Sequence, residues 1–198
     1  MEPQPAISQT DEDSVTEIDA RRAVATLLKF IEPESFAREG LRDTPDRVVR
    51  AWEEMTEGYR RSPEEILARD FEGQGYDEMI VCRSIEFSST CEHHLLPFMG
   101  IAHVGYVPKQ RVVGLSKLAR LVDCFAKRLQ IQEQMTKQIA DALVKHLQPK
   151  GVAVVVTAKH LCMSCRGVQK HQSEMVTCSL AGIFLKPEVR AEFMGHCQ

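Results

Sequence analysis

The first third of the chain has the apolar spacing of amphipathic helices. Thr44-Pro45 and Ser62-Pro63 each give a start signal, in which a capping side chain precedes a proline at the first helical position. We therefore predict a second helix that runs to about Gly58 and a short third helix after it. A first helix, ended by Pro33, is predicted from four apolar residues that share one of its faces: Val24, Leu27, Leu28 and Ile31.

The periodicity changes to that of strands from about residue 79 onward. Ile85 and Phe87 alternate with polar neighbours, which predicts a half-buried strand. The apolar run at 152–156 is rich in β-branched residues and too short for an isolated helix, so we predict a central strand there. The remaining predicted elements are a strand at 101–107, helices at 116–129 and 132–147, a strand at 175–185 and a terminal helix from Pro187.

This order of elements predicts an α+β fold, in which an antiparallel sheet follows a helical N-terminal region. The first residues are polar and acidic and show no apolar periodicity, so we expect a flexible N-terminal tail at 1–13. The helical region would then span 14–72, and the domain that contains the sheet would span 73–198.

Charge and composition restrict the class of protein. A net charge of −3 gives no broad basic surface for nucleic acid, so any anionic ligand must meet a local group of Lys and Arg. No apolar run approaches the roughly 18 residues that span a bilayer, and the N-terminus does not resemble a secretory signal. Seven cysteines, an odd number, fit a reducing compartment. We expect a cytoplasmic protein with no membrane or nucleic-acid partner.

Cysteine and histidine occur together at the ends of two predicted strands. Cys91 and His94 are three residues apart, so both can reach one ion from a single turn, and Cys162 would supply a distant third ligand. Thiolate and imidazole ligands together suit Zn²⁺. Three ligands leave a position for water, as in a catalytic site, whereas Cys165 as a fourth ligand would close the site and make it structural. The spacing indicates zinc and leaves the reaction open.

Several segments resemble the successive signatures of the GTP cyclohydrolase I family, in that family's order and spacing. The resemblance runs from about residue 15 to 193, which is nearly the whole chain outside the tail. The segments are CEHHLLPF at 91–98, GLSKLAR at 114–120, RLQIQE at 128–133, HLCM at 160–163 and RGV at 166–168.

The resemblance implies a tunnelling fold, with 73–198 as the catalytic domain and with subunits that join side by side into a barrel. It implies a homodecamer of two stacked pentamers with active sites at subunit boundaries. The implied reaction is hydrolytic opening of the guanine imidazole ring of GTP, which releases formate and forms 7,8-dihydroneopterin triphosphate. This is the first step of folate or tetrahydrobiopterin biosynthesis. A feedback regulatory protein is compatible with the family and has no signature in the sequence.

The resemblance also implies roles for individual residues. One Zn²⁺ per subunit would be held by Cys91, His94 and Cys162, and it would bring the pKa of bound water toward about 7. Glu133, with Gln132, would read guanine, because a carboxylate accepts hydrogen bonds from both N1–H and the exocyclic amine. The remaining implied roles are proton transfer by His93 and His160, ribose opening assisted by Ser116 as a helix N-cap, and triphosphate binding by Lys117, Arg120, Arg166 and Arg47.

Cys165 departs from the family pattern, which would place a residue without a thiol there. It creates a Cys-x-x-Cys pair with Cys162, which predicts a disulfide on oxidation when no metal is bound; alternatively Cys165 only fills an apolar pocket. Two other functions stay open. One is a tunnelling-fold enzyme that acts on a pterin or deazapurine and needs no triphosphate site. The other is a scaffold protein that is stabilised by a structural zinc ion with four protein ligands.

Overall fold

The computed structural model describes residues 15–198, so the predicted tail at 1–13 lies outside the described residues. The contacts divide the chain into two compact units, one that ends at Glu53 and one that spans Glu54–Gln198. The domain boundary that we predict between 72 and 73 stays a prediction. Within the described part of the chain, no helix is both long and apolar enough to cross a membrane.

Helices form the first unit, as predicted. The first helix, α1 (Glu17–Ile31), begins with a capping box in which Thr16 and Asp19 bond to each other's backbone N–H groups. The second helix, α2, spans Thr44–Met55 and therefore ends before Gly58, the predicted end. Gly58 lies instead in a short 3-10 helix, where its N–H donates to the Lys127 carbonyl at 2.9 Å. Gly58 is thus held by a contact with a distant part of the chain, which no local pattern predicts.

The second unit contains the sheet. The predicted strands and long helices are all present, and three short strands were missed: β1, β4 and β5. In chain order the elements are α3 (Pro63–Leu67), β1 (Asp70–Glu72), β2 (Ile80–Cys91), β3 (Pro97–Val107), β4 (Arg111–Val113), α4 (Leu115–Ala126), β5 (Leu129–Gln130), α5 (Gln132–Leu147), β6 (Gly151–His160), α6 (Leu161–Ser164), β7 (Met175–Gly182) and α7 (Pro187–His196).

The main sheet has the strand order β5-β2-β3-β6-β7, and β1 pairs with β4 in a separate two-stranded sheet. All neighbours in the main sheet are antiparallel except β2 and β5, which pair in parallel over two residues. The strand β6 is interior, and its residues from Gly151 to Val156 are buried, which confirms the predicted central strand. The predicted α+β fold class is confirmed.

The helices α4 and α5 cover one face of the sheet, and α7 covers part of the other. Side chains alternate between the faces along β6. Val154 and its even-numbered neighbours belong to the core formed with Leu121 of α4 and Ile139 of α5. Val155 belongs instead to a second cluster with Phe193 of α7. The sheet with its two long helices is the arrangement that the tunnelling fold requires.

Candidate metal and active site

The hairpin between β2 and β3 presents the first group of site residues. The Cys91 N–H donates to the Leu96 carbonyl at 2.9 Å, and the Leu95 N–H donates to the Cys91 carbonyl at 2.8 Å. These bonds close a tight loop that leaves His93 and His94 exposed at its tip. Cys91 is itself buried at the end of β2, so the loop combines a buried thiol with two accessible imidazoles.

Cys162 joins this loop because of the strand order. Phe98 of β3 pairs with His160 of β6, so the end of β6 and the following residues of α6 lie beside the hairpin. Cys91, His94 and Cys162 each offer a ligand atom, and these atoms all lie within 4.8 Å of one another. Within residues 15–198 no other Cys, His, Asp or Glu meets this distance limit together with them, so Cys165 stands outside the group.

The geometry of the cluster fits a tetrahedral metal ion. Zinc–sulfur distances of about 2.3 Å and zinc–nitrogen distances of about 2.0 Å place neighbouring ligand atoms roughly 3.5 Å apart. The distance from Cys91 Sγ to His94 Nδ1 is 3.8 Å. Burial, followed by the nearby Cys91, raises the pKa of the Cys162 thiol. A bound cation would stabilise such a thiol as its thiolate.

His160 lies next to the cluster and is held on two sides. Its ring stacks on Phe98 with the planes 4° apart and the centroids 4.6 Å apart. Its Nε2 lies 2.7 Å from Oε1 of Gln132. Burial lowers the pKa of His160, and the negative charge of Glu133 opposes this shift only in part. The imidazole is therefore mainly neutral near pH 7, which suits a group that accepts a proton.

Gln132 and Glu133 begin α5, but their side chains have different surroundings. Gln132 is 1% exposed, and its Nε2 contacts the Val156 carbonyl, the Met175 carbonyl and Thr177 Oγ1 at 3.0–3.1 Å. Glu133 is exposed, and its side chain has no hydrogen bond or ion pair with any described residue. The Glu133 carboxylate is therefore accessible, whereas the Gln132 amide is bonded within the protein.

Three of the cations predicted to bind triphosphate lie on two segments of the second unit. Lys117 and Arg120 are on α4, and Arg166 follows α6. None of the three forms an ion pair or hydrogen bond through its side chain within the described range 15–198, so all three charges can meet an anion. The opposite holds for Arg47 of α2, in the first unit, whose guanidinium contacts Asp43 at 3.7 Å and the Gly40 carbonyl at 3.3 Å.

We predicted Ser116 as the N-cap of α4, and this prediction is wrong. Gly114 occupies the cap position, and its carbonyl accepts the Lys117 N–H at 2.8 Å, so the helix begins at Leu115. The backbone of Gly114 is extended, as is typical of an N-cap residue, so the helix begins two residues earlier than it would with Ser116 as the cap. Ser116 is therefore the second helical residue, and its side chain is exposed.

Phe98 and Thr177 contact the site residues, although we predicted no role for either from the sequence. Phe98 forms the surface on which His160 stacks, and Thr177 contacts the Gln132 amide. Phe98 had a detectable signal, since it is the apolar residue at the end of the first signature. Thr177 had none, because its contact depends on the pairing of β7 with β6.

A mixed α+β protein that gathers two cysteines and a histidine beside a partly buried, neutral histidine has the features of a metal-dependent enzyme. The family model described as GTP cyclohydrolase I matches residues 20–198. The chain belongs to the GTP cyclohydrolase I family, and it is an enzyme of that type.

Several relatives support this membership. A protein of Wolinella succinogenes named GTP cyclohydrolase 1 is 58% identical over 160 residues, which are 80% of this chain and 86% of the relative. Relatives of the same name are 54% identical in Synechococcus sp. (87% of this chain, 75% of the relative) and 48% identical in Chlorobium chlorochromatii (93% and 83%). Among solved structures, the apo archaeosine synthase QueF-Like matches with a TM-score of 0.44 and 15% identity, over 52% of this chain and 93% of that one.

Proposed function

We propose that this chain hydrolyses the guanine imidazole ring of GTP at the cluster of Cys91, His94 and Cys162, releases formate and forms 7,8-dihydroneopterin triphosphate. The observation that carries the proposal is the placement of this open three-ligand cluster beside the neutral His160, in a member of the family. We propose one Zn²⁺ per subunit as the cofactor. When bound, it would supply the Lewis acidity that makes water a nucleophile near neutral pH.

The chain's own residues would bind the substrate and move protons. His160 accepts and returns a proton at the purine, and His93, at the exposed tip of the hairpin, serves as a second proton-transfer group. Glu133 accepts hydrogen bonds from guanine N1–H and the exocyclic amine, which adenine does not offer together. The triphosphate binds Lys117, Arg120 and Arg166, with Arg47 as a further candidate, and Ser116 assists ribose opening.

The proposed assembly is a homodecamer of two stacked pentamers. Its support is apolar surface that a single chain leaves uncovered. The helix α1, which is described in full, buries none of its residues, and Phe30 and Ile31 are 85% and 68% exposed. Leu115, at the start of α4 next to Ser116, is 70% exposed. Light scattering should give about ten times the 22.4 kDa of one chain, and an active protein of single-chain mass would contradict the assembly.

Formate release from GTP tests the function directly. The zinc-loaded protein is incubated with GTP, formate is measured, and the pterin is detected by fluorescence after oxidation. We expect equal amounts of formate and pterin from GTP and neither from ATP, which serves as the matched control. A zinc-loaded protein that leaves GTP intact would contradict the proposal and favour a relative that acts on a pterin or deazapurine, or a scaffold protein.

A further inference from the structure

We propose that Gln132 is a positioning residue, which fixes the ring nitrogen of His160 that carries the proton, and that it does not contact guanine. The inference rests on the proposed function, because it concerns the proton-transfer role of His160. Three observations carry it: the partners of the Gln132 amide, the hydroxyl network behind them, and the single contact from Gln132 to the imidazole.

The partners of Gln132 determine which way its amide faces. Nε2 lies 3.1 Å from the Val156 carbonyl and 3.0 Å from the Met175 carbonyl. Both carbonyls can only accept hydrogen bonds, so the group that faces them must be the NH₂ and cannot be the amide oxygen. A flipped amide would place three oxygens against one another in a buried site. Oε1 is therefore the atom that faces His160.

The neighbouring hydroxyls agree with this orientation. Thr136 Oγ1 lies 2.7 Å from the Gln132 carbonyl oxygen, to which it can only donate, so its single hydrogen is used there. The 2.6 Å contact between Thr136 and Thr177 must then be a bond that Thr177 donates. Thr177 Oγ1 is left to accept from Gln132 Nε2 at 3.1 Å. Each donor in the network has an acceptor, and no second orientation satisfies all of them.

The tautomer of His160 follows from this orientation. Oε1 of Gln132 can only accept, so the Nε2 of His160 at 2.7 Å must carry a hydrogen. With the hydrogen held on Nε2, the ring nitrogen left with a lone pair is Nδ1, and this is the atom that the proposed function would use at the substrate. Stacking on Phe98 holds the ring plane at the same time.

Kinetics separates a positioning role from guanine reading. Gln132→Leu removes the acceptor for His160 and leaves Glu133 unchanged. We expect kcat to fall by about 100-fold, the lower range for loss of general acid–base catalysis, while KM for GTP stays within about threefold. Thr177→Val, which loosens the Gln132 amide without touching His160, should lower kcat in the same direction by less. A raised KM with kcat retained in Gln132→Leu would overturn the proposal.

Solid-state nitrogen NMR tests the tautomer without relying on turnover. The zinc-bound protein is labelled with ¹⁵N-histidine, and the His160 signals are assigned as those lost in His160→Gln. We expect wild-type protein to show His160 with the hydrogen on Nε2, and Gln132→Leu to show a mixture of both tautomers. A hydrogen on Nδ1 in the wild type would overturn the inference even if GTP is consumed. An inactive wild type with the expected tautomer would instead refute only the proposed function.

Discussion

At the scale of single residues, the first turn of α5 places the buried Gln132, proposed as a positioning residue, next to the exposed Glu133, proposed to bind guanine. Successive helical residues are rotated by about 100°, so Gln132 and Glu133 cannot share one environment. The apolar repeat of α5 already places Gln132 on the buried face, three residues before Met135 and seven before Ile139. The burial of Gln132 could therefore be predicted from the sequence. The hydrogen-bond partners of its amide could not, because Val156 and Met175 lie on distant strands.

Glu133→Ala should weaken recognition of GTP. The guanine N1–H and exocyclic amine would lose their common acceptor, and unsatisfied buried donors cost about 1–3 kcal/mol each. We expect kcat/KM for GTP to fall by about 100-fold or more, mainly through KM, in steady-state assays. His160→Ala is the matched comparison, and it should bind GTP with little change and fail to turn it over. Glu133→Ala with near wild-type efficiency would show that the carboxylate does not read guanine.

His103 should make stability depend on pH. It is 4% exposed, and its Nδ1 accepts the Ser84 N–H at 3.3 Å. Burial, followed by the charge of Arg83, lowers the pKa of His103. The unfolded chain, with a pKa near ~6.5, then binds the proton more tightly, so stability is kept above ~6.5 and lost as the pH falls below it.

The variant that removes this titration is His103→Gln, which keeps an acceptor for Ser84. Thermal unfolding at pH 7.5 and pH 5.5 should show a smaller loss of Tm on acidification in His103→Gln than in the wild type. Metal-stripped protein is used for both, so that loss of metal in acid does not contribute. Equal losses in the two proteins would show that His103 is not the group responsible.

At the scale of elements, the close approach of β3 and β6 positions the site. A Cβ on Gly100 would overlap the Thr157 carbonyl oxygen and lie 2.7 Å from the Ala158 Cα. Gly100 is paired with Ala158, two residues from the pair of Phe98 and His160. Only a residue without a side chain lets the strands pair at this point, so the stack that holds His160 depends on glycine.

Gly100→Ala should therefore destabilise the protein and disturb the site. Overpacking of this kind costs about 1–3 kcal/mol, and we expect a clearly lower Tm together with a lower kcat. The matched control is Gly195→Ala on α7, where an added Cβ has no atom within 4 Å, and where Tm should stay the same or rise slightly. If Gly100→Ala and Gly195→Ala have equal Tm values, the strands do not need the glycine.

The turn that carries Cys162 also permits the predicted oxidation. Cys165 is exposed, and its N–H donates to the Leu161 carbonyl at 2.9 Å, so Cys162 and Cys165 are one helical turn apart. Residues at this spacing have Cβ atoms about 5–6 Å apart, close enough for a small rearrangement to join them. Hydrogen peroxide would oxidise the two thiols to one disulfide and be reduced to two waters.

We expect peroxide to inactivate the protein with release of metal, and a thiol reductant with added Zn²⁺ to restore it. Mass spectrometry should find a linked peptide that contains Cys162 and Cys165. Cys165→Ser should resist inactivation at the same peroxide concentration. Equal sensitivity of the wild type and Cys165→Ser, or the lack of the linked peptide, would show that Cys165 has no part in the inactivation.

At the scale of the whole molecule, the long elements could be predicted and the short ones could not. The strand at 152–156 and the helix at 132–147 follow from unbroken local patterns, and the structure confirms both. The strand β5 has only two residues and forms because it pairs with the end of β2. No local sequence pattern predicts it. The three residues of the metal cluster could be predicted from their spacing and from the family resemblance. That they lie close together could not, because it depends on the pairing of β3 with β6.

A zinc titration shows whether an ion held by Cys91, His94 and Cys162 is responsible for the proposed activity. Chelator-stripped protein receives measured amounts of Zn²⁺, and bound zinc and formate release from GTP are determined in the same samples. We predict that activity rises in proportion to bound zinc and stops at one ion per chain. Cys165→Ala should follow the wild-type line, and Cys162→Ala should give neither binding nor formate. Full activity without zinc, or loss of zinc in Cys165→Ala as complete as in Cys162→Ala, would show that these three residues do not form the catalytic zinc site.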